Sequence, residues 1–567
     1  MTRHSRSVPG SALRAIAALT TVAIAALPLV PPALAAQPPS LRPDVMGMQG
    51  ALTSDHALAT AAGADVLRRG GNAVDAAIAM AGVLAVVRPH MNGVGGDNFL
   101  LIRMAKTGKV YALNGSGRAG SRATPAFFAQ KGMTHVPGSG ILSVSVPGAV
   151  QAWDDALRRF GTTTLRQALQ PAIRYAEQGF PVSTRLSLDI AAEVKKVAAD
   201  SAMAHTFLVN GEAPAPGTLL VQRELGRTLR AIATGGARAF YQGATARRIA
   251  DFMEHEGGLL TATDLANHRA TWQEPISTTY LGKQVLAFPP NTQGATFLEM
   301  LNLAELSDLS AMGRTSADYV HTMVEGAKLV YADRDRYIAD PAFADVPVAR
   351  LISKEYAREL GQRIRRDTIA ASSAGDGTRD GNGDTVYLTV IDKDGNAVSM
   401  IQSLFASFGS GRMVPETGIV LHNRGALFSL EPSHPNIIAP GKRPFHTLSP
   451  AMALNEDGSL FATFGTPGGD GQPQTLIQIL NNVLRFGMTP QQAVEAPRWR
   501  IFGGGRLGVE PGLGDEVRAE LAHRGQRVTV QPPSAEFGGA QMIVIDPRSK
   551  ARMVGSDYRR EAYGLAW

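Results

Sequence analysis

The clearest alternation along the chain lies in "TVYLTVI", Thr385 to Ile391, where Val386, Leu388 and Val390 fall on one face and Tyr387, Thr389 and Ile391 on the other. A period of two marks a strand with a different environment on each face. Asp394-Gly395 follows as a two-residue hairpin signal, and Ala397 to Ile401 return as the partner strand. Thr385 therefore opens a hairpin. Further strands are predicted in "DNFLLIRM", "KVYALNGS", "QVLAFPP", "SLFATFGT" and "QMIVIDP". Helical periodicity occupies other stretches: "HALATAAGADVLRRGGNAVDAAIAMAGVLAVV" reads as two helices broken at Gly-Gly, the second apolar on most faces and hence buried. "GRTLRAIATGGARAFYQGATARRIADFM" reads as a helical pair, and "SADYVHTMVEGAKLVYADRDRYIAD" as one long amphipathic helix. Hairpin strands alternating with stacked helices predict an α+β layered fold.

What precedes Thr385 is of another kind. "ASSAGDGTRDGNGD", Ala371 to Asp384, is small, flexible or charged and is the one strong linker in the chain. A threonine at the end of such a tether poses a chemical question. Its hydroxyl is a weak nucleophile without a base, but an N-terminal threonine carries one in its own α-amino group, with a pKa of roughly 8. Cutting between Asp384 and Thr385 would create that terminus. A strand-opening threonine with a purely structural role is the ordinary alternative.

Composition narrows the choices. With 567 residues and 44% hydrophobic content the chain can bury a large core, and length alone predicts about two to four domains. The net charge of +7 is spread without a basic run, which argues against nucleic acid as a partner. There is no cysteine, so disulfides, thiolate metal sites and a cysteine nucleophile are excluded together. Arg3, Arg6 and Arg14 precede an apolar stretch from Ala15 to Val30, and Ala33 and Ala35 supply a signal-peptidase spacing. Residues 1–36 are read as a secretory signal, giving a periplasmic or secreted protein with no stable membrane insertion after its removal. Pro28, Pro31 and Pro32 interrupt the run and argue against a retained anchor.

Several catalytic arrangements fail on spacing. "NGSGR" and "FGSGR" are not the G-x-S-x-G elbow. His321 and Glu325 stand four apart on a helix but lack an H-E-x-x-H context, so no metal is assigned. "VGGDN" and "TPGGDG" lack the lysine and the strand-to-helix spacing of a phosphate cradle. No cofactor is expected.

The segments "GGNAVDAAIA", "GVGGDNFLLI", "VPGAVQAW", "GGLLTATDLANH", "YADRDRYIADP", "TVYLTVIDKDGNAVS", "LSPAM" and "GTPGGDGQPQ", in this order from about Gly50 to the C-terminus, resemble the γ-glutamyltransferase family of N-terminal nucleophile hydrolases. The resemblance implies a four-layer αββα sandwich and autocatalytic cleavage between Asp384 and Thr385. It also implies a heterodimer of the two products, residues 37–384 with the linker 371–384 and residues 385–567. Thr385 is then the nucleophile, Ser403 matches a hydroxyl that bonds it, and Gly468 and Gly469 match oxyanion-hole glycines. From sequence alone Ser403 is an ordinary strand serine, and a tight structural turn would need the same two glycines as an oxyanion turn. The resemblance implies cleavage of a γ-glutamyl or related carboxylate-bearing small-molecule amide through an acyl-enzyme, the acyl group passing to water or an amine.

The chain departs from the usual pattern at the positions that hold a γ-glutamyl group. Phe405 stands where an asparagine is usual, Ala426 or Leu427 where an aspartate is usual, and His446-Thr447 replaces a paired serine. "SLFxxFGSG", "GIVLHNRG" and "GGDGQPQ" are closer to a divergent branch resembling oxamate amidohydrolases and acylases. Arg118, Arg424, His446 and Thr447 are the candidate substrate-binding residues, with no acidic partner expected among them. Such a pocket fits a carboxylate without an adjacent ammonium. Arg424 paired to Glu416 or another acid, a surface role for Arg118, and a homologue that has lost turnover and only binds ligand remain the alternatives.

Overall fold

The alternation through the Thr385 strand sets the architecture of the computed structural model, which describes residues 40–369 and 383–567. Val386, Leu388 and Val390 enter a core shared with the helices Ala57–Arg68, Ala73–Val87, Ala149–Phe160 and Arg223–Tyr241. Tyr387 and Ile391, on the opposite face, enter a separate core with Phe99, Leu286, Met452 and Ile543. That second core lies between two seven-stranded sheets. The first sheet runs in the order Tyr563–Ala566, Ala51–Ser54, Gly383–Ile391, Ala397–Ala406, Asp97–Arg103, Val110–Gly115, Thr271–Gln273. The second runs Val45–Gly47, Arg552–Ser556, Gln541–Ile545, Leu460–Gly465, Ala451–Leu454, Lys283–Ala287, Ile276–Tyr280. Its outer face packs on the helices Gly294–Ala304, Ala317–Tyr337 and Gln472–Leu484 through Val285, Ala453, Ala462, Phe464 and Val544. Helices, two sheets and helices again make the αββα sandwich.

Ala73–Val87 is buried along its whole length, as its uniformly apolar pattern predicts. Asn72 and Asp75 start it with a reciprocal capping box. Both sheets draw strands from each side of the Asp384–Thr385 bond, and Pro38–Trp567 forms one unit where length alone predicts several. Interleaving is the reason: neither part of the chain could bury its sheet edges without the other.

Two local expectations change. The strand begins at Gly383, so Thr385 is its third residue, because Asp384 still pairs with Phe405. The hairpin connection is the five residues between Ile391 and Ala397, since the Asp392 carboxylate accepts the N–H groups of Asp394 and Asn396 and sustains a wider turn. The predicted signal sequence and most of the Ala371–Asp384 linker lie outside the described residues. Among the described residues no helix is long and apolar enough to cross a membrane.

Candidate active site

The ladder between Gly383–Ile391 and Ala397–Ala406 is regular from Ile391 back to Thr385, which faces Ser403, and then slips. Asp384 faces Phe405, so Leu404 is the extra residue of a β-bulge opposite the Asp384–Thr385 peptide. Leu404 turns away, buries its side chain in the helix-side core and donates its N–H to the Met91 carbonyl. The bulge brings three groups to one oxygen. Thr385 Oγ1 donates to Ser403 Oγ at 3.0 Å, and the Phe405 N–H donates to the same atom at 2.7 Å. Ser403 spends its single proton on the Asp384 carbonyl oxygen, 2.8 Å away. Thr385 and Ser403 are buried.

Asp384 is held from its other side by Arg560, whose two terminal nitrogens each lie 3.4 Å from Oδ1. A cleft of about 400 Å³, lined by Asp384, Ser407, Asp189 and Ser534 among others, opens beside it.

The turn after the strand Leu460–Gly465 packs against the Thr385 strand. Gly468 has φ 128° and Gly469 φ 55°, backbone conformations that glycine adopts at little cost. Among the described residues neither N–H is committed to a hydrogen bond. The turn itself is anchored: Gln293 Nε2 donates to the Gly469 carbonyl at 3.1 Å, Tyr331 Oη to the Asp470 carbonyl at 2.7 Å, and Arg334 pairs with the Asp470 carboxylate at 3.1 Å.

Next to Ser403, one strand over, stands Asp97. Arg424 Nε lies 3.3 Å from Asp97 Oδ2, His446 Nε2 2.9 Å and His422 Nδ1 3.3 Å from the same oxygen. All four side chains are fully buried. Burial alone would push the Asp97 carboxyl up, but Arg424 and the two histidines outweigh it and hold it well below the usual carboxylate range. Burial, reinforced by Arg424, lowers His446 to about 4, so its ring is neutral near pH 7. Arg424 also donates to Thr447 Oγ1 at 3.3 Å, and its guanidinium lies 4.6 Å from the centre of the Phe405 ring.

Comparison with known proteins places this arrangement. The family model described as Gamma-glutamyltranspeptidase matches residues 59–567. The chain belongs to the gamma-glutamyltranspeptidase family. Within it, the chain is 43% identical over 456 residues to the glutathione hydrolase-like YwrD proenzyme of Bacillus subtilis (strain 168), covering 80% of this chain and 85% of that one. It is 38% identical to the oxamate amidohydrolase proenzyme of Klebsiella pneumoniae, over 89% of this chain and 98% of the other. The cephalosporin acylase structure from Bacillus halodurans superposes with a TM-score of 0.88 at 38% identity, covering 94% and 98% of the two chains.

For this family member, the structure gathers Thr385, Ser403 and Asp384 into one hydrogen-bonded group and joins Arg424, His446 and Thr447 in a neighbouring one. The expectation of no acidic partner is corrected. Asp97 fills that role, and Glu416 instead pairs with Arg248 at the surface. Arg118 is placed elsewhere, donating to the Arg269 carbonyl at 3.3 Å. Leu427 is buried in the outer helix core. His321 and Glu325 share the Gln526 amide, and among the described residues no group of acids and histidines is disposed to hold a metal. Sequence reasoning missed Asp97, His422 and Arg560. "VGGDN" is not a phosphate cradle, and although it opens a predicted strand and belongs to a family segment, nothing local signals that its aspartate stands opposite Ser403.

Proposed function

We propose that the protein is a self-cleaving amidohydrolase in which Thr385 is the nucleophile, first of its own maturation and then of turnover. The observation that carries the reading is the hydrogen-bonded sequence Thr385 Oγ1, Ser403 Oγ, Asp384 carbonyl. Thr385 Oγ1 attacks the Asp384 carbonyl carbon, its proton moves to Ser403, and the Ser403 proton moves to the oxyanion that forms. On collapse the proton on the former carbonyl oxygen passes to the Thr385 nitrogen, the Asp384–Thr385 C–N bond breaks, and Asp384 is left esterified to the threonine oxygen with the amine free. Water, entering by the cleft beside Asp384, hydrolyses the ester to give the Asp384 carboxylate and an N-terminal Thr385. Thereafter the α-amine takes the hydroxyl proton when Thr385 attacks a substrate amide. The uncommitted N–H groups of Gly468 and Gly469 are suited to the substrate oxyanion. Interleaved strands in both sheets would keep residues 37–384 and 385–567 together as a heterodimer.

The acyl group we propose carries a carboxylate and no adjacent ammonium. Asp97 is already paired to Arg424, on whose guanidinium the Phe405 ring stacks, so Asp97 offers no free carboxylate to an ammonium. The relative named oxamate amidohydrolase supports the same class, since oxamate is a half-amide with a carboxylate and no ammonium. The N–H donors of Arg424 that are not on Asp97 or Thr447 are the proposed partners of the acyl carboxylate, with His446 and Thr447 beside them, and Arg118, bonded to the Arg269 carbonyl, is left out of this group. The residues read as a signal sequence make the protein an exported one. The test is release of product from a γ-glutamyl anilide, a glutaryl anilide and oxamate by the purified, processed protein. Turnover of the glutaryl compound or oxamate in preference to the γ-glutamyl one is the expected result.

A further inference from the structure

Phe405 is out of place by two measures. Its backbone sits at φ 80°, a region that costs a side-chain-bearing residue with no local polar partner. It also follows directly on the bulge that faces the Asp384–Thr385 bond. Glycine or asparagine would take this conformation more readily. Yet the conformation has a consequence: it directs the Phe405 N–H at Ser403 Oγ, 2.7 Å away. With that acceptor position filled and another filled by Thr385, Ser403 has one orientation left for its proton, along the Asp384 carbonyl. The face of the Phe405 ring is covered by the Arg424 guanidinium, and the guanidinium is fixed by Asp97 through Nε at 3.3 Å and by Thr447 through Nη1 at 3.3 Å. Asp97 belongs to the neighbouring strand, in register with Ser403 itself.

We infer that Asp97, Arg424 and Phe405 form a clamp that holds residue 405 in its left-handed conformation and so orients the Ser403 hydroxyl for cleavage before Thr385. These are positioning residues for that step, and the inference rests on the self-cleavage reading above. A planar guanidinium is suited to the task, since it can stack on a ring and bond a carboxylate in its own plane at once. A lysine at 424 could keep the charge but not the flat face.

The test is a time course of precursor processing in freshly purified protein, read as the ratio of full-length chain to fragments, with N-terminal sequencing of the smaller fragment. Arg424→Met should slow cleavage by roughly tenfold or more, because the left-handed backbone then lacks its support. Arg424→Lys should slow it to an intermediate rate. The decisive variant is Phe405→Asn, since asparagine adopts positive φ with little help. In that background Arg424→Met should lose most of its effect on cleavage. A merely structural ion pair would not behave so: its removal would slow cleavage equally whatever residue stands at 405. If Arg424→Met does not fold, Arg424→Lys carries the test in both backgrounds. Wild-type cleavage rates in Arg424→Met and Arg424→Lys, or equal slowing with Phe and Asn at 405, overturn the clamp while leaving self-cleavage intact. A wild-type protein that stays a single chain overturns the self-cleavage reading itself.

Discussion

The two ends of the hairpin formed by Gly383–Ile391 and Ala397–Ala406 are held in opposite ways. At the closed end the Asp392 carboxylate accepts the N–H groups of Ala73, Asp394 and Asn396 and the Asn396 amide, all within 2.9–3.0 Å. The turn thus satisfies itself and also receives the first turn of the helix Ala73–Val87. At the open end the ladder slips by a residue, Leu404 bonds to Met91 outside the hairpin, and Phe405 takes a strained φ. Its supports, Asp97, Arg424 and Arg560, all come from other elements. At the closed end contacts from other elements, Ala73, Ala105 and Arg552, add to a regular ladder, whereas at the end proposed to react they stand in for a ladder that has slipped. That difference can be broken or sharpened by substitution at either end.

The largest effect should come from Thr385→Ala. With no hydroxyl to attack the Asp384 carbonyl, the protein should remain full-length and inactive on a denaturing gel, while wild type gives a C-terminal fragment beginning Thr-Val-Tyr-Leu. An active, intact wild-type chain would remove the basis of the mechanism.

Next in size is Gly469→Val. A β-branched residue at φ 55° is strained, and adjusting it would turn the Gly468 and Gly469 N–H groups from their present direction. Loss of such donors lowers kcat by roughly a hundredfold or more. An unchanged kcat in a processed Gly469→Val enzyme would leave the turn a structural feature only.

The same contrast explains what the sequence discloses. Alternation from Val386 to Ile391 and the Asp-Gly signal are local, and from them the strand pair, its two faces and the layered fold follow. The linker before Thr385 is local too, which is why the threonine stands out. The width of the turn is hidden because it depends on where one aspartate side chain points. Asp97 is hidden more deeply. It reaches Arg424 across 327 residues of chain, through the neighbouring strand that brings Asp97 opposite Ser403. Without that contact Arg424 has the character of a free cation in a pocket that lacks an acid. The backbone of Phe405 is hidden likewise, since positive φ has no signature in a phenylalanine.

A smaller effect is expected at the closed end. Asp392→Ala leaves the buried N–H of Ala73 and the part-buried N–H groups of Asp394 and Asn396 without their acceptor, at a cost of about 2 kcal/mol in unfolding free energy. Cleavage before Thr385 should proceed at the wild-type rate, because the open end is held by other elements. Denaturant unfolding of uncleavable Thr385→Ala protein with and without the second substitution gives the stability, and a processing time course gives the rate. Slowed cleavage would show the two ends to be coupled.

The smallest effect, and the one that most sharpens the reading of the open end, concerns substrate choice. A γ-glutamyl group brings an ammonium that must find an acid or stay unpaired. The acid beside Ser403 is Asp97, and its charge is taken up by Arg424, with His422 and His446 on the same oxygen. The neighbouring positions offer the Phe405 ring and the buried Leu427 side chain. Leaving the ammonium without a charged acceptor forgoes about 1.5 to 3 kcal/mol. Since 1.4 kcal/mol is about a factor of ten, the glutaryl anilide should exceed the γ-glutamyl anilide by at least roughly tenfold in kcat/KM. Measured on the processed enzyme, the opposite preference would mean that Asp97 is released from Arg424 when substrate binds, and hydrolysis of ordinary γ-glutamyl compounds would become the better assignment.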